Sequence, residues 1–190
     1  MRLAITALLA FTVAASATHL GAQAPAHPGP AHPAKVVVPT MPARSADVAT
    51  IDGIIAAYYD IVSGPAGQPR QWGRDRTLYW PGIRFFAASV RPDGTPAVHV
   101  LSHQEYVDAS DASLVKDGFS EGEIHRVTQR IGNIAHVMST YETRRVGTGP
   151  VTGRGVNSLD LFWDGTRWWV TAASWDDERK NAPIPPELLP

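Results

Sequence analysis

The chain of 190 residues holds seven histidines, six tryptophans and no cysteine. The missing thiol excludes structural disulfides, thiolate metal sites and a cysteine nucleophile. His125 and His136 stand on either side of Gly132-Asn133, a dipeptide suited to a tight hairpin, so two strands can bring them near one another. An imidazole titrating near neutral pH can act as an acid, a base or a ligand-binding group. Each can equally be a structural side chain whose hydrogen bonds are met by its neighbours. A metal would need a third ligand; His99, His103 and Glu123 are available, but no spacing among them is diagnostic, so neither a metal nor a cofactor is expected. Counting back from Asp164-Gly165 places Asn157 on the same strand face as Leu159, Leu161 and Trp163. A buried amide there must find a partner, either protein or ligand. Tyr58 and Thr140 complete the polar candidates, and Trp80 and Trp175 are the aromatic side chains chosen for the rim of a pocket. The remaining tryptophans are assigned to core or interface, where their area counts most.

Two glycine- and acid-rich stretches carry less. The segment from Gly147 to Gly155 precedes a strand, whereas a phosphate cradle needs a helix N-terminus after the loop. Asp176-Asp177-Glu178 reads as a solvated strand end offset by Arg179 and Lys180. No Ser-His-Asp arrangement can be recognised without geometry.

The elements that must position these residues follow from periodicity. Ser45 is a candidate N-cap, and Val48, Ile51, Ile55, Tyr58 and Val62 recur at helical steps until Gly64-Pro65. A second helix is expected over Pro69–Tyr79, ended by Pro81-Gly82. Ile83–Val90 and Ala97–Leu101 read as strands around the turn Arg91-Pro92-Asp93-Gly94, and Ser102 with Glu105 forms a capping box that opens a third helix. The rest reads as strands: Glu123–Ile131, Ile134–Arg145, Gly155–Trp163 and Arg167–Trp175, with Asp164-Gly165 as a hairpin turn. On the first of these, His125, Val127, Gln129 and Ile131 share the face expected to turn inward, and Arg126, Thr128 and Arg130 the face expected to turn outward. The order of elements implies an α+β fold: a curved antiparallel sheet forming a cone around the long N-terminal helix, with helices on the concave side and one open mouth.

The ends of the chain are read differently. Arg2 is the only charge before Lys35, and an apolar run from Leu3 ends in Ala15-Ser16-Ala17. That is the pattern of a cleaved secretory signal, too short to span a bilayer, which needs roughly 20 apolar residues. The expected signal covers residues 1–17, or 1–24 if the second small-x-small site at Ala22-Gln23-Ala24 is used, and delivery is periplasmic or extracellular. No membrane span is expected after its removal. Residues 18–44 carry six prolines between Pro25 and Pro42 and read as a Pro/Ala-rich disordered leader. The domain is placed at 45–182, followed by an extended proline-rich tail at 183–190. The formal net charge is -1, with no basic stripe, which argues against nucleic acid as a partner.

Three stretches carry a family likeness: Gln71–Leu78 (QWGRDRTL), Gly122–Glu142 (GEIHRVTQRIGNIAHVMSTYE) and Arg154–Val170 (RGVNSLDLFWDGTRWWV) with Trp175-Asp176. Together they resemble bacterial NTF2-like (SnoaL-like) proteins of unassigned function, over roughly residues 46–186. The resemblance implies a cone-shaped cystatin-like roll and a homodimer formed through the sheet. It leaves function open, because the superfamily includes ketosteroid isomerases, cyclases, dehydratases and binding domains. In ketosteroid isomerases a tyrosine on the first helix could match Tyr58. Their general-base aspartate, however, falls where this chain reads Phe85-Phe86-Ala87-Ala88, and their second acid falls at Leu159, with Asp160 one residue out of phase. That chemistry is therefore rejected.

The reading favoured by these residues is an exported module that binds a small, mostly apolar molecule in the cone without catalysis. Two alternatives stand beside it: a cyclase, isomerase or hydrolase using His125 or His136, and a protein-interaction domain whose cone is filled by its own side chains. The ligand set expected inside or around the cone is Tyr58, Trp80, His125, His136, Thr140, Asn157 and Trp175.

Overall fold

Thr50 breaks the first expected helix in two. The computed structural model, which describes residues 35–190, has a single turn α1 (Ser45–Val48) followed by α2 (Ile51–Val62), and the Thr50 hydroxyl caps α2 by accepting from Gly53 N at 2.9 Å. The capped end is fixed by a side-chain oxygen taking up an orphan N–H, which Ser45 does not do here. α2 buries Ile54, Ile55, Ala57, Tyr59, Ile61 and Val62, and Ile55 is 1% exposed. α3 is only Trp72–Arg76, shorter than the expected helix to Tyr79, because Tyr79 bridges to Val170 instead and extends the sheet.

β1 (Phe85–Val90) and β2 (Pro96–Leu101) form a hairpin. α4 (His103–Asp117) opens with the complete capping box: Glu105 Oε2 accepts from Ser102 N at 2.7 Å, and Glu105 N donates to Ser102 Oγ at 3.3 Å. β3 (Ser120–Ile131), β4 (Ile134–Arg144), β5 (Gly153–Trp163) and β6 (Trp168–Asp177) follow. The Asp164-Gly165 turn works as its type requires. Gly165 takes a φ of +97°, and the Asp164 carboxylate accepts from the backbone N–H of Thr166 and Arg167 and from Trp169 Nε1.

The strands make one six-stranded sheet in the order β2-β1-β6-β5-β4-β3. It is mixed: β1 runs parallel to β6, pairing Phe85 with Ala173 and Ala87 with Trp175, and the other pairs are antiparallel. The expected all-antiparallel sheet is corrected at this one junction. β1 meets β6 across a long stretch of chain rather than through a hairpin, so no turn dictates its direction. Val137, Leu159, Leu161, Val170 and Ala173 pack with α2 in the main core, which is therefore on the concave side.

Both ends of the described chain pack on the domain. Residues 35–44 contain no regular element, yet Val38 is buried with Val62, Trp72 and Val107. Val36 N donates to Asp108 Oδ1 and Gln104 Nε2 to Val36 O, each at 2.9 Å. The expected disordered leader is thus corrected for this part; the expected signal and the leader up to Ala34 lie outside the described residues. The tail is only partly extended: Ile184 is buried and Pro186–Leu188 forms a 3-10 turn against β3 and β4. Asp47 on α1 is buried beside Arg74, which donates to it through Nε at 2.7 Å and Nη2 at 2.8 Å, and so fastens α1 to α3. Among the described residues no helix is long and apolar enough to cross a membrane.

Candidate functional site

Asn157 sits at the centre of a polar network on the concave face. It is 3% exposed, and α2 lies above it. Its Nδ2 donates to Tyr59 Oη at 3.1 Å and to Glu121 Oε1 at 3.4 Å, and its Oδ1 accepts from Tyr58 Oη at 3.4 Å. Tyr59 Oη and Ser139 Oγ are 2.6 Å apart, and Ser139 Oγ donates to Glu123 Oε1 at 2.5 Å. A serine has one hydroxyl proton, so Tyr59 must be the donor to Ser139. The chain therefore runs in one direction, from the Asn157 amide through Tyr59 and Ser139 to the Glu123 carboxylate.

The two ends that touch Asn157 only at 3.4 Å are less satisfied, because hydrogen bonds weaken at that length. Tyr58 has this contact alone, and the second carboxylate oxygen of Glu121 takes no hydrogen bond among the described residues. Burial pushes the Glu121 carboxyl up to about 7; Asn157 pulls it down and Asp177 raises it further. Burial also pushes the hydroxyls of Tyr58 and Tyr106 far up, so both stay protonated donors. Glu121, Tyr58, Tyr106 and Trp175 are half-buried.

Three aromatic rings pack together nearby. Phe85 lies 5.1 Å from Tyr106, and Trp175 lies 6.0 Å from Tyr106 and 6.2 Å from Phe85, measured between ring centroids. Tyr141 crosses the sheet to donate to Asp177 Oδ1 at 2.7 Å. Its path requires glycine at 155, where a Cβ would stand 2.3 Å from the Tyr141 hydroxyl. Next to these rings, the fully buried Asp75 accepts from Tyr79 Oη at 3.1 Å and meets His103 Nε2 at 2.8 Å.

Of the side chains expected at the cone, Tyr58, Asn157 and Trp175 are there. His125, His136, Thr140 and Trp80 are not. β4 turns Ala135, Val137, Ser139 and Tyr141 inward, so His136 and Thr140 point outward. His136 Nε2 meets Ser158 Oγ at 2.9 Å on that outer face, and Thr140 Oγ1 donates to Leu188 O of the tail at 2.5 Å. His125 is paired with Thr140 and shares its side. The faces of β3 are the reverse of those expected: Thr128 pairs with the inward Val137, and Arg126 and Arg130 reach Asp52 and the Trp168 ring. A bulge between Glu123 and His125 shifts the register here. Trp80 is 44% exposed and packs edge-on against Trp169 and Phe162, beyond the cone.

Glu121, Tyr59, Ser139 and the Asp75–His103 pair were not singled out in the sequence. The available signal was weak: an inward acid on an edge strand, and Asn157 needing partners across from it. Among the described residues no group of three His, Asp or Glu side chains is placed to hold a metal ion.

No protein-family model matches the chain. No curated protein matches it by sequence. Solved structures do align with it. An NTF-2 like protein of unknown function from Silicibacter pomeroyi is 12% identical with a TM-score of 0.46, over 68% of this chain and 94% of that one. A protein of unknown function with a cystatin-like fold from Nostoc punctiforme is 7% identical with a TM-score of 0.49, over 68% of this chain and 90% of that one. A protein from Kribbella flavida is 16% identical with a TM-score of 0.49, over 70% and 93%. At these identities no activity passes from them to this chain. The described residues thus form an α+β fold in which a mixed six-stranded sheet packs its core against α2, and the solved structures that align with it include NTF2-like and cystatin-like proteins.

Proposed function

We propose that the cone binds one small, mostly apolar molecule without catalysis, its body against Tyr106 and Trp175 and its polar group at Glu121, Asn157 and Tyr58. The observation that carries this reading is the unequal satisfaction of the network. Tyr59, Ser139 and Glu123 are tied by short hydrogen bonds, whereas Tyr58 and Glu121 each hold Asn157 only at 3.4 Å and keep capacity to spare. A few convergent polar groups in an aromatic pocket is the usual composition of a small-molecule site. The test is fluorescence of the neutral apolar probe N-phenyl-1-naphthylamine. Enhancement that saturates with one probe per chain, and is weakened by Trp175→Ala, is the expected result. No saturable enhancement contradicts the reading and favours a cone filled by its own side chains.

A second reading rests on Glu121. A carboxyl near 7 is divided between its two protonation states at neutral pH, as general acid–base catalysis requires. The histidines no longer serve that alternative, since His125 and His136 face outward. Export remains part of the proposal, resting on the residue pattern of 1–17, and an N-terminus at Thr18 on the secreted protein is its expected sign. So does a homodimer through the outer sheet face.

A further inference from the structure

A concavity of about 500 Å³ lies among residues 40–43, the α3–β1 connection and the start of α4, and none of Tyr58, Glu121 and Asn157 lines it. Three guanidinium groups do: Arg76, Arg84 and Arg167. Elsewhere Arg74, Arg126, Arg144, Arg145, Arg154 and Arg179 are paired with carboxylates, whereas Arg44, Arg70, Arg91 and Arg130 stand apart from one another with no salt bridge among the described residues. The three in the groove form no salt bridge among the described residues, and residues 1–34 contain no Asp or Glu that could supply one.

Their donors are mostly unspent. Arg76 gives one nitrogen to Val38 O at 3.3 Å, and Arg84 gives one to Ile83 O at 3.0 Å and Gly82 O at 3.3 Å. Arg167 donates to Thr77 O and Trp168 O and stacks 3.7 Å from the Trp169 ring centroid, which holds its plane fixed at the groove wall. A guanidinium has five N–H donors, so each of the three keeps several for a ligand. Glu105, whose charge Arg84 feels, is already spent on the α4 capping box, which also means that the α4 N-terminus adds little. His103, at the inner end, is held by Asp75. The remaining wall mixes the polar side chains of Thr40, Thr77, Ser102 and Gln104 with an apolar part: the exposed face of Trp80, edge-on to Trp169 at 5.5 Å, with Met41, Pro81 and Ile83.

We infer that this groove binds a small organic anion, a carboxylate or phosphate ester on a flat apolar body, with its oxygens on Arg76, Arg84 and Arg167 and its body against Trp80. Guanidinium forks match both oxyanions in bidentate fashion, and an exposed indole supplies area for a planar body. The site is independent of the cone, so either can fail without the other.

Indole N–H signals of the full chain, followed by NMR during titration with benzoate, phenyl phosphate and the neutral benzamide, test it. Trp80→Phe and Trp169→Phe identify the relevant signals. The expected result is saturable shifts at Trp80 and Trp169 with at least one of the two anions, with benzamide about tenfold weaker. The tighter anion names the preferred head group. The Arg76→Gln/Arg84→Gln double variant is expected to weaken that anion by about tenfold or more and to leave both benzamide binding and the melting temperature unchanged. Benzamide binding as tightly as the anions, shifts at Trp175 instead of Trp80, or an unaffected double variant would each overturn the inference.

Discussion

Asn157 on β5 donates to the Tyr59 hydroxyl on α2 at 3.1 Å, and through this contact a strand of the sheet and the helix inside it share one polar network. Replacing Asn157 by alanine leaves Tyr59, Tyr58 and Glu121 without their shared partner. The expected cost is about 1–3 kcal/mol in chemical denaturation, the range for leaving a buried polar group unsatisfied. Asn157→Asp adds a negative charge beside Glu121 and is expected to cost more than the alanine variant at neutral pH.

Glu121 gives the fold a pH dependence of definite sign. Its carboxyl is raised from 4.5 to about 7 in the folded state, so between those values the native protein holds a proton that the unfolded chain has released. The stabilising contribution is fully present below 4.5 and is lost as pH rises through about 7. The whole effect is at most about 3 kcal/mol. Stability of the wild type minus that of Glu121→Gln, measured by urea unfolding from pH 4.5 to 8, is expected to fall across that window. A flat difference would show that Glu121 is not buried as described.

The Asp47–Arg74 pair predicts a larger loss away from the cone. Both side chains are nearly excluded from solvent, and Asp47→Ala would leave the Arg74 guanidinium with the exposed Asp60 as its remaining carboxylate. Breaking one partner of a buried pair costs about 3 kcal/mol or more. Arg74 pulls the Asp47 carboxyl below its usual range, so this contribution should be present above about 3.8 and disappear as acid protonates Asp47. Urea unfolding of Asp47→Ala at neutral pH checks the magnitude.

Much of the frame could be read from the residues because local signals were strong. The Ser102/Glu105 capping box, the Gly132-Asn133 hairpin and the Asp164-Gly165 turn each name a backbone conformation that few other residues satisfy. The face assignments on β3 and β4 were harder. β4 carries apolar residues on both sides, Ala135 and Val137 inward and Ile134 and Met138 outward, so alternation alone does not choose between them. On β3 the more apolar set, Val127 and Ile131, faces outward, because this edge strand runs past the core and its inward arginines find Asp52 and Trp168 instead. Asn157 was found because its strand has one unambiguous apolar face; Glu121 was not, since an isolated acid gives no pattern. The packing of Val36 and Val38 rests on contacts with α4, far along the chain, that a proline-rich composition hides.

The outer face of the sheet bears on assembly. Phe86, Val98, Val100, Ile131 and Ile134 are exposed large apolar side chains, all on strands. A homodimer through this face is expected to cover part of that surface, with the tail at Thr140 marking one limit. Light scattering at micromolar concentration should give twice the chain mass, and Val98→Glu/Val100→Glu should shift it toward the monomer. A wild-type monomer at that concentration would count against the dimer.

Native mass spectrometry of the protein isolated from its own cells tests the cone most directly. The expected result is a bound molecule retained at one copy per chain by the wild type and lost from Asn157→Leu and Trp175→Ala variants that still fold. A wild type that carries no added mass, or variants that retain the molecule in full, would contradict it.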